Sequence, residues 1–192
     1  MINKDELKNA LKLYLVTDSE ILKGRDFYKC IEDAIKAGVT MVQLREKNAD
    51  GKEFLEKAIK LRQITKKYNV TFVINDRVDI AMIADADGVH VGQSDIDAMS
   101  IRKLIGEDKI IGVSARNVEE AKIAKENGAD YLGIGAMFST PTKNDAKEVS
   151  FGITLDNVDK LKQFNPDGYA LVSGILAVDD IGKRVGEWLN KI

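Results

Sequence analysis

The sequence predicts an α/β fold in which one parallel sheet closes into an eight-stranded (β/α)8 barrel. Short, almost entirely apolar segments alternate with longer amphipathic ones, as expected for parallel strands that are covered by helices. The segments 38–44, 86–92, 128–135 and 166–174 share one shape, in which a glycine or aspartate precedes an apolar strand and then small or polar residues. No GxGxxG or Walker lysine motif is present, which counts against an open nucleotide-binding sheet and favours the barrel.

The elements follow in regular order along residues 1–192, a length that suits a single α/β domain. Helix 4–10 leads into strand 13–17. In helix 27–37 the apolar residues are spaced for one face, and Gly38 provides a C-terminal stop. Helix 51–68 repeats that period. The remaining strand candidates are 41–44, 71–74, 88–91, 110–113, 131–135 and 169–172, and the remaining helix candidates are 79–83, 98–105, 117–127, 155–164 and 179–189.

Composition and charge argue against several classes of partner. The formal net charge is −2 with both signs mixed, so the basic surplus of a nucleic-acid-binding surface is missing. The first residues mix charged with apolar side chains, and no run approaches the ~18 apolar residues of a membrane helix, so we expect no signal peptide, no membrane partner and a cytoplasmic location. Cys30, the sole cysteine, lies in an apolar helical pattern and is predicted to be a buried structural thiol.

Polar residues follow the predicted strands at their carboxyl ends. In a barrel of parallel strands these ends share one mouth, where ligands bind. The side chains expected there are Thr17, Asp18, Gln43, Arg45, Lys47, Asn75, Asp76, Gln93, Asp95, Ser114, Thr140, Thr142, Lys143 and Ser173. The sequence therefore predicts a binding site at this end of the barrel.

Two carboxylates in this set, Asp76 and Asp95, follow neighbouring strand candidates. Paired acids with room for water suit Mg²⁺, which takes oxygen ligands and bridges to substrate phosphates. Asp95 has a second interpretation, as the cap of the helix that follows it. Arg45, Lys47 and Lys143 add positive charge, so these groups together predict Mg²⁺ and a ligand with more than one phosphate.

The stretch 131–143, YLGIGAMFSTPTK, is an apolar strand that runs into a polar, basic loop. The strand is predicted to be buried on both faces, and Gly133 and Gly135 let a ligand or another backbone come close. The loop hydroxyls and Lys143 are groups that bind an oxyanion such as phosphate, although an ordinary exposed connection has a similar composition.

The sole histidine and the sole tryptophan favour structural interpretations. His90 lies between two valines in a strand candidate, so a packed structural histidine is favoured over a catalytic one. Trp188, in the last helix, is predicted to lie in the core or its covering layer. No G-x-S-x-G elbow is present, which argues against Ser–His–Asp hydrolysis.

Several longer motifs occur in a fixed order over nearly the whole chain. They are YLVTD (14–18), VQLREK (42–47), VINDRVDIA (73–81), ADGVHVGQSD (86–95), IGVSA (111–115), GADYLGIGAMFSTPTK (128–143), GIT (152–154) and DGYALVSGI (167–175). On these motifs the chain resembles the thiamine-phosphate synthase family, also called thiamine-phosphate pyrophosphorylase. The resemblance implies a (β/α)8 barrel that joins 4-amino-2-methyl-5-hydroxymethylpyrimidine diphosphate to 4-methyl-5-(2-phosphoethyl)thiazole, or its carboxylated form, and releases pyrophosphate.

The resemblance also implies a role for each matching site residue. Asp76 and Asp95 would bind one Mg²⁺ per subunit. The pyrimidine diphosphate contacts would be Gln43, Arg45, Lys47, Asn75, Ser114 and Lys143, and the thiazole phosphate contacts would be Thr140, Thr142, Gly152, Val172 and Ser173. The catalytic set would be Lys47, Lys143 and Ser114, with the lysines and Mg²⁺ stabilising the leaving pyrophosphate.

One segment departs from the family pattern. In the family, TPTK is followed by a helix and a strand before the glycine–isoleucine step, whereas here 144–151 run straight into Gly152. About one helix and most of the seventh strand, on the order of 20 residues, are missing by comparison, so we expect a shortened seventh βα unit. Strand edges would then be unpaired unless something covers them, or else the sequence as given omits a loop.

Two other functions stay open on the sequence. A thiazole tautomerase-like isomerase on the same barrel would need no pyrophosphate site, which the QLREK and TPTK motifs and the two aspartates argue against. A non-catalytic barrel that binds a phosphate ligand is motivated by the missing segment. The sequence also leaves open whether the chain forms a homo-oligomer.

Overall fold

A computed structural model describes residues 3–135 and 152–192, which form seven parallel strands with helices around them. The strands are β1 (Leu13–Val16), β2 (Met41–Leu44), β3 (Thr71–Asn75), β4 (Gly88–Val91), β5 (Ile110–Ala115), β6 (Tyr131–Ile134) and β7 (Tyr169–Leu171). The helices are α1 (Lys4–Leu11), α2 (Phe27–Lys36), α3 (Gly51–Lys67), α4 (Val78–Ile83), α5 (Ala98–Ile105), α6 (Val118–Glu126), α7 (Asp159–Lys162), α8 (Ser173–Leu176) and α9 (Ile181–Leu189). In this part of the chain no helix has the length and apolar character to cross a membrane.

The strands pair in the order β6-β5-β4-β3-β2-β1-β7, all parallel. The last strand of the chain therefore pairs with the first, Leu13 with Tyr169 and Leu15 with Leu171. This pairing bends the sheet into a nearly closed barrel, which confirms the predicted α/β barrel fold. Within the described ranges β6 and β7 are the two free edges of the sheet.

Alternate residues of each strand face two separate cores. The larger core lies between sheet and helices and contains Leu15, Val42 and Ile74. The smaller one lies inside the barrel, where Tyr14 and Tyr131 meet the apolar side chains Leu7, Met41, Val73 and Ile110. Leu7 belongs to α1, so this leading helix contributes to the barrel interior.

Most helices begin where a short acidic or amide side chain caps them. Asp26, Asp50, Asp97, Asn117 and Asp180 each accept a hydrogen bond from a backbone N–H in the first turn of the helix that follows. These caps satisfy donors that have no partner within the helix. The first four are followed by α2, α3, α5 and α6, at the boundaries that the sequence predicts to within one or two residues.

Two predictions about the elements are wrong. The helix expected over 155–164 is only the short α7, because the Asn157 side chain accepts from the Thr154 N–H and donates to the Gly152 carbonyl, which holds this stretch in a turn. Strand β6 is not buried on both faces, since Ile134 is 58% exposed at the edge of the sheet. Cys30 and Trp188 are both buried, as predicted.

Candidate active site

The inward-facing side chains near the carboxyl ends of the strands form the floor of the candidate site. Gln43, Asn75, His90 and Ser114 lie on β2, β3, β4 and β5, at positions that alternate with residues of the outer core. Asn75 is the register partner of His90, and Ser114 that of Gly133. The sheet therefore brings together three of the predicted site residues, Gln43, Asn75 and Ser114.

The two predicted metal ligands lie beside each other at the mouth. The backbone N–H of Asp76 donates to the carbonyl of His90 at 2.9 Å, and Asp76 has a φ of 62°, which turns the chain sharply after β3. The Asp95 carboxylate accepts from the Gly92 N–H at 2.7 Å, which fixes it in the loop after β4. Burial and then the neighbouring Asp95 raise the pKa of Asp76 to about 6, while the opposing charge of Arg45 lowers it.

This geometry removes the alternative interpretation of Asp95. The cap of α5 is Asp97, whose carboxylate accepts from the Ser100 N–H at 2.9 Å. Asp95 is therefore left to pair with Asp76, and two adjacent carboxylates are a donor set that fits Mg²⁺ when phosphate oxygens and water supply the other ligands. Among residues 3–135 and 152–192 no group of three or more His, Cys, Asp or Glu side chains could hold a metal ion.

The loop after β2 carries the cations and is anchored by its neighbours. The Arg45 N–H donates to Thr17 Oγ1 at 3.0 Å, and the Thr17 N–H donates to the Gln43 carbonyl at 2.9 Å. Glu46 accepts from Ser19 Oγ at 2.6 Å and pairs with a lysine of α3. The sequence analysis assigned no role to Glu46, although it lies between the two predicted cationic residues Arg45 and Lys47.

The predicted thiazole phosphate residues that the structure describes lie near β7. Val172 and Ser173 form the start of α8, directly after β7. A Cβ atom built on Gly174 would lie 3.3 Å from the carbonyl oxygen of Ile153, so the backbone next to Gly152 passes close to this turn. Strand β1 separates β7 from β2 in the sheet. Thr140, Thr142 and Lys143 lie outside the described residues.

His90 is packed as predicted, but its contacts also reach a site residue. The ring is half-buried, with Nδ1 3.0 Å from the hydroxyl of Tyr131 and Nε2 2.9 Å from Ser114 Oγ. Tyr131 in turn contacts Tyr14. The sequence analysis missed both tyrosines, because their strands look apolar and only the closure of the barrel brings these distant residues together.

Comparison with known proteins identifies the family of the chain. Residues 13–151 match the family described as thiamine monophosphate synthase. The chain belongs to this family. The thiamine-phosphate synthase of Clostridioides difficile strain 630 is 62% identical over the full length of both chains. That of Clostridium tetani is 50% identical and aligns with 91% of this chain and 92% of its own.

Solved structures of the family agree with the fold. The thiamine phosphate pyrophosphorylase of Pyrococcus furiosus superimposes with a TM-score of 0.85 at 33% identity and covers 96% of each chain. A thiamine phosphate pyrophosphorylase from Bacteroides thetaiotaomicron gives 0.65 at 15% identity, with 94% and 96% covered, and at that identity the likeness concerns the fold alone.

The same comparisons bear on the missing segment. The alignment with the Clostridioides difficile relative runs over 210 positions and includes all 192 residues of this chain, a difference of 18. Because the alignment covers both chains completely, the 18 positions that have no counterpart in this chain lie within the alignment and not at its ends. The family comparison thus supports the prediction that this chain is shorter than its relatives by about the size of a helix and a short strand.

Proposed function

We propose that this chain is a thiamine-phosphate synthase that joins 4-amino-2-methyl-5-hydroxymethylpyrimidine diphosphate to 4-methyl-5-(2-phosphoethyl)thiazole, or its carboxylated form. The observation that carries the proposal is the pair Asp76 and Asp95 at the mouth of the barrel, beside Arg45, in a chain of this family. The inward-facing Gln43 and Ser114 lie on the strands below this pair. A site with paired acids and neighbouring cations suits a diphosphate that binds with a divalent cation.

In this proposal the residues of β2 to β5 bind the pyrimidine diphosphate. Gln43, Asn75 and Ser114 would contact it from the floor of the barrel, and Arg45 and Lys47 would contact it from the loop after β2. Asp76 and Asp95 would hold one Mg²⁺, which when bound neutralises charge on the diphosphate and so favours its departure. Binding of the cation would also relieve the repulsion between the two carboxylates.

The reaction requires the chain to stabilise separated charges and to position the two substrates. As the CH₂–O bond breaks, the pyrophosphate keeps the electron pair and the pyrimidinylmethyl group becomes a cation, which the thiazole nitrogen then attacks. Arg45 and Lys47 would stabilise the developing negative charge on the leaving group. No protein general base is required, since the thiazole nitrogen already carries a lone pair.

The second substrate would bind near β7. Gly152, Val172 and Ser173 are proposed to contact the thiazole phosphate, because the backbone next to Gly152 passes the turn that begins α8. Backbone N–H groups at such a turn can donate to phosphate oxygens. The proposed roles of Thr140, Thr142 and Lys143 rest on the sequence motif alone. A cytoplasmic location, a single domain and a homo-oligomer stay predictions.

The test is pyrophosphate release from purified protein that is given both substrates, with Mg²⁺ and then with EDTA. We expect metal-dependent release together with thiamine phosphate, and loss of both in an Asp76→Asn, Asp95→Asn double variant. Asp85→Asn is the matched control, because Asp85 also has a left-handed backbone (φ 51°) but pairs with Lys109 away from the site.

Two other outcomes would contradict the proposal. Isomerisation of the thiazole phosphate without the pyrimidine substrate would indicate a tautomerase-like isomerase. Binding of the pyrimidine diphosphate in calorimetry without any pyrophosphate release would indicate a non-catalytic barrel, in which the shortened seventh unit has removed the chemistry but not the pocket.

A further inference from the structure

Five polar side chains form an unbroken line of hydrogen bonds through the interior of the barrel. Gln43 Nε2 donates to the hydroxyl of Tyr14 at 2.5 Å, and the hydroxyls of Tyr14 and Tyr131 are 2.9 Å apart. The line continues from the Tyr131 hydroxyl to His90 Nδ1 at 3.0 Å and from His90 Nε2 to Ser114 Oγ at 2.9 Å. It therefore connects two proposed substrate contacts, Gln43 on β2 and Ser114 on β5.

The direction of each hydrogen bond follows from the first donor. Because the hydroxyl of Tyr14 accepts from the Gln43 amide, its own proton is directed to Tyr131. The hydroxyl of Tyr131 then accepts from Tyr14 and donates to Nδ1 of His90. An imidazole whose Nδ1 accepts a hydrogen bond carries its proton on Nε2, so it donates to Ser114 Oγ. The proton of the Ser114 hydroxyl is left to point towards another acceptor.

With the amide nitrogen of Gln43 facing Tyr14, the opposite direction would leave a buried donor without an acceptor. If His90 carried its proton on Nδ1, Tyr131 would donate to Tyr14, whose hydroxyl would then accept twice and have nowhere to direct its own proton. Tyr14 is 4% exposed, and within residues 3–135 and 152–192 its hydroxyl has only Gln43 and Tyr131 as partners. A buried donor without an acceptor is costly, so the direction from Gln43 to Ser114 is favoured.

The surroundings keep the line in place and keep the two tyrosine hydroxyls protonated. Burial raises the pKa of the hydroxyls of Tyr14 and Tyr131 well above the usual range, so both stay protonated at neutral pH. A Cβ atom at Gly112 would overlap the ring of Tyr131, and one at Gly133 would lie 2.9 Å from Cε1 of His90. The two glycines therefore give each ring its space.

We propose that this line of hydrogen bonds makes Ser114 a donor to its ligand, so that the site selects a hydrogen-bond acceptor such as a ring nitrogen of the pyrimidine. The inference rests on the proposed function, in which Ser114 contacts the pyrimidine diphosphate. Tyr14, Tyr131 and His90 are positioning residues, because they act on the ligand through Ser114. A serine with a freely rotating hydroxyl would accept or donate and would discriminate less.

The tautomer of His90 tests the direction without any substrate. His90 is the only histidine, so its ring is the sole histidine signal in a protein labelled with ¹⁵N-histidine. We expect a long-range ¹H–¹⁵N spectrum at neutral pH to show the proton on Nε2, and the Nδ1–H form to gain population in Tyr131→Phe. A wild-type protein with its proton on Nδ1 would overturn the proposal.

Kinetics with substrate analogues test the consequence for the ligand. Tyr131→Phe and Tyr14→Phe each remove one link and keep the ring, and we expect about a 3- to 10-fold rise in KM for the pyrimidine diphosphate with little change in KM for the thiazole phosphate. Analogues in which either ring nitrogen is replaced by C–H supply the sharper measurement. The wild type should discriminate strongly against one of them, and both variants should discriminate less.

The control is Tyr68→Phe, which removes a hydroxyl that donates to Glu32 at 2.6 Å outside the line of hydrogen bonds. This variant should keep the wild-type discrimination. If Tyr131→Phe and Tyr14→Phe both fold, as judged by circular dichroism, and also keep the wild-type discrimination between the analogues, the proposal is wrong. A wild-type protein that shows no turnover would refute the proposed function instead, and the tautomer of His90 would still decide whether the line has the inferred direction.

Discussion

Replacement of Asp76 by asparagine is expected to raise the free energy of unfolding at neutral pH while it weakens ligand binding. Burial and the neighbouring Asp95 raise the pKa of Asp76 from 3.8 to about 6. The folded state therefore holds this proton more tightly than the unfolded state does. The resulting stabilisation is present below about pH 4 and is lost as the pH rises through about 6.

The magnitude follows from that pKa. A rise of about two pH units corresponds to about 3 kcal/mol for a fully buried group. Asp76 is only partly buried, and the solvent that reaches it screens its charge, so we expect Asp76→Asn to gain about 1 kcal/mol at pH 7. Asparagine is the suitable replacement, because Asp76 has a φ of 62° and asparagine adopts this left-handed conformation more readily than most residues.

Chemical unfolding of the metal-free protein between about pH 4 and pH 7 measures the effect. The advantage of Asp76→Asn over the wild type should grow with pH, and in the presence of Mg²⁺ and the diphosphate it should shrink or reverse. Asp85→Asn should show the opposite sign, because the hydrogen bond from Lys109 lowers the pKa of Asp85. Parallel pH profiles for Asp76→Asn and the wild type, or a less stable variant at pH 7, would refute the reasoning.

Three further predictions concern packing and are measured by chemical unfolding with circular dichroism. Gly112→Ala should destabilise the protein by about 1–3 kcal/mol, because its Cβ would overlap the ring of Tyr131; an unchanged midpoint would contradict this. Gly186→Ala should stabilise α9 by about 0.5–1 kcal/mol, since nothing lies within 4 Å of the added Cβ; a loss would show an unrecognised clash. Trp188→Phe should cost about 1–3 kcal/mol, because the indole N–H donates to the Gly174 carbonyl at 2.9 Å; a neutral change would show that the bond contributes little.

The strands and the floor of the site could be predicted from the sequence because both depend on local pattern. Short apolar runs indicated all seven strands, and the polar residues that end them indicated Gln43, Asn75 and Ser114. The pairing of Asp76 with Asp95 also followed, because consecutive parallel strands lie side by side. For these features the information lies within a few residues of the position concerned.

The remaining features depend on contacts that the sequence does not display. The hydroxyls of Tyr14 and Tyr131 come from positions 117 residues apart and meet only when the barrel closes. Helix 155–164 was overpredicted because the side chain of Asn157 competes for the backbone there. The exposure of Ile134 depends on which strand forms an edge of the described sheet, and the local pattern of β6 does not display that.

The two glycines that border the interior rings have a consequence for how this sequence can change over time. Gly112 is without a side chain where the ring of Tyr131 lies, and Gly133 is without one where His90 lies. A larger residue at either glycine would be tolerated only if the facing ring had first been replaced by a smaller side chain. That smaller side chain would in turn leave a cavity unless a larger residue then replaced the glycine. Among relatives, the residues at positions 112 and 131, and those at 90 and 133, are therefore expected to covary as pairs rather than to vary singly.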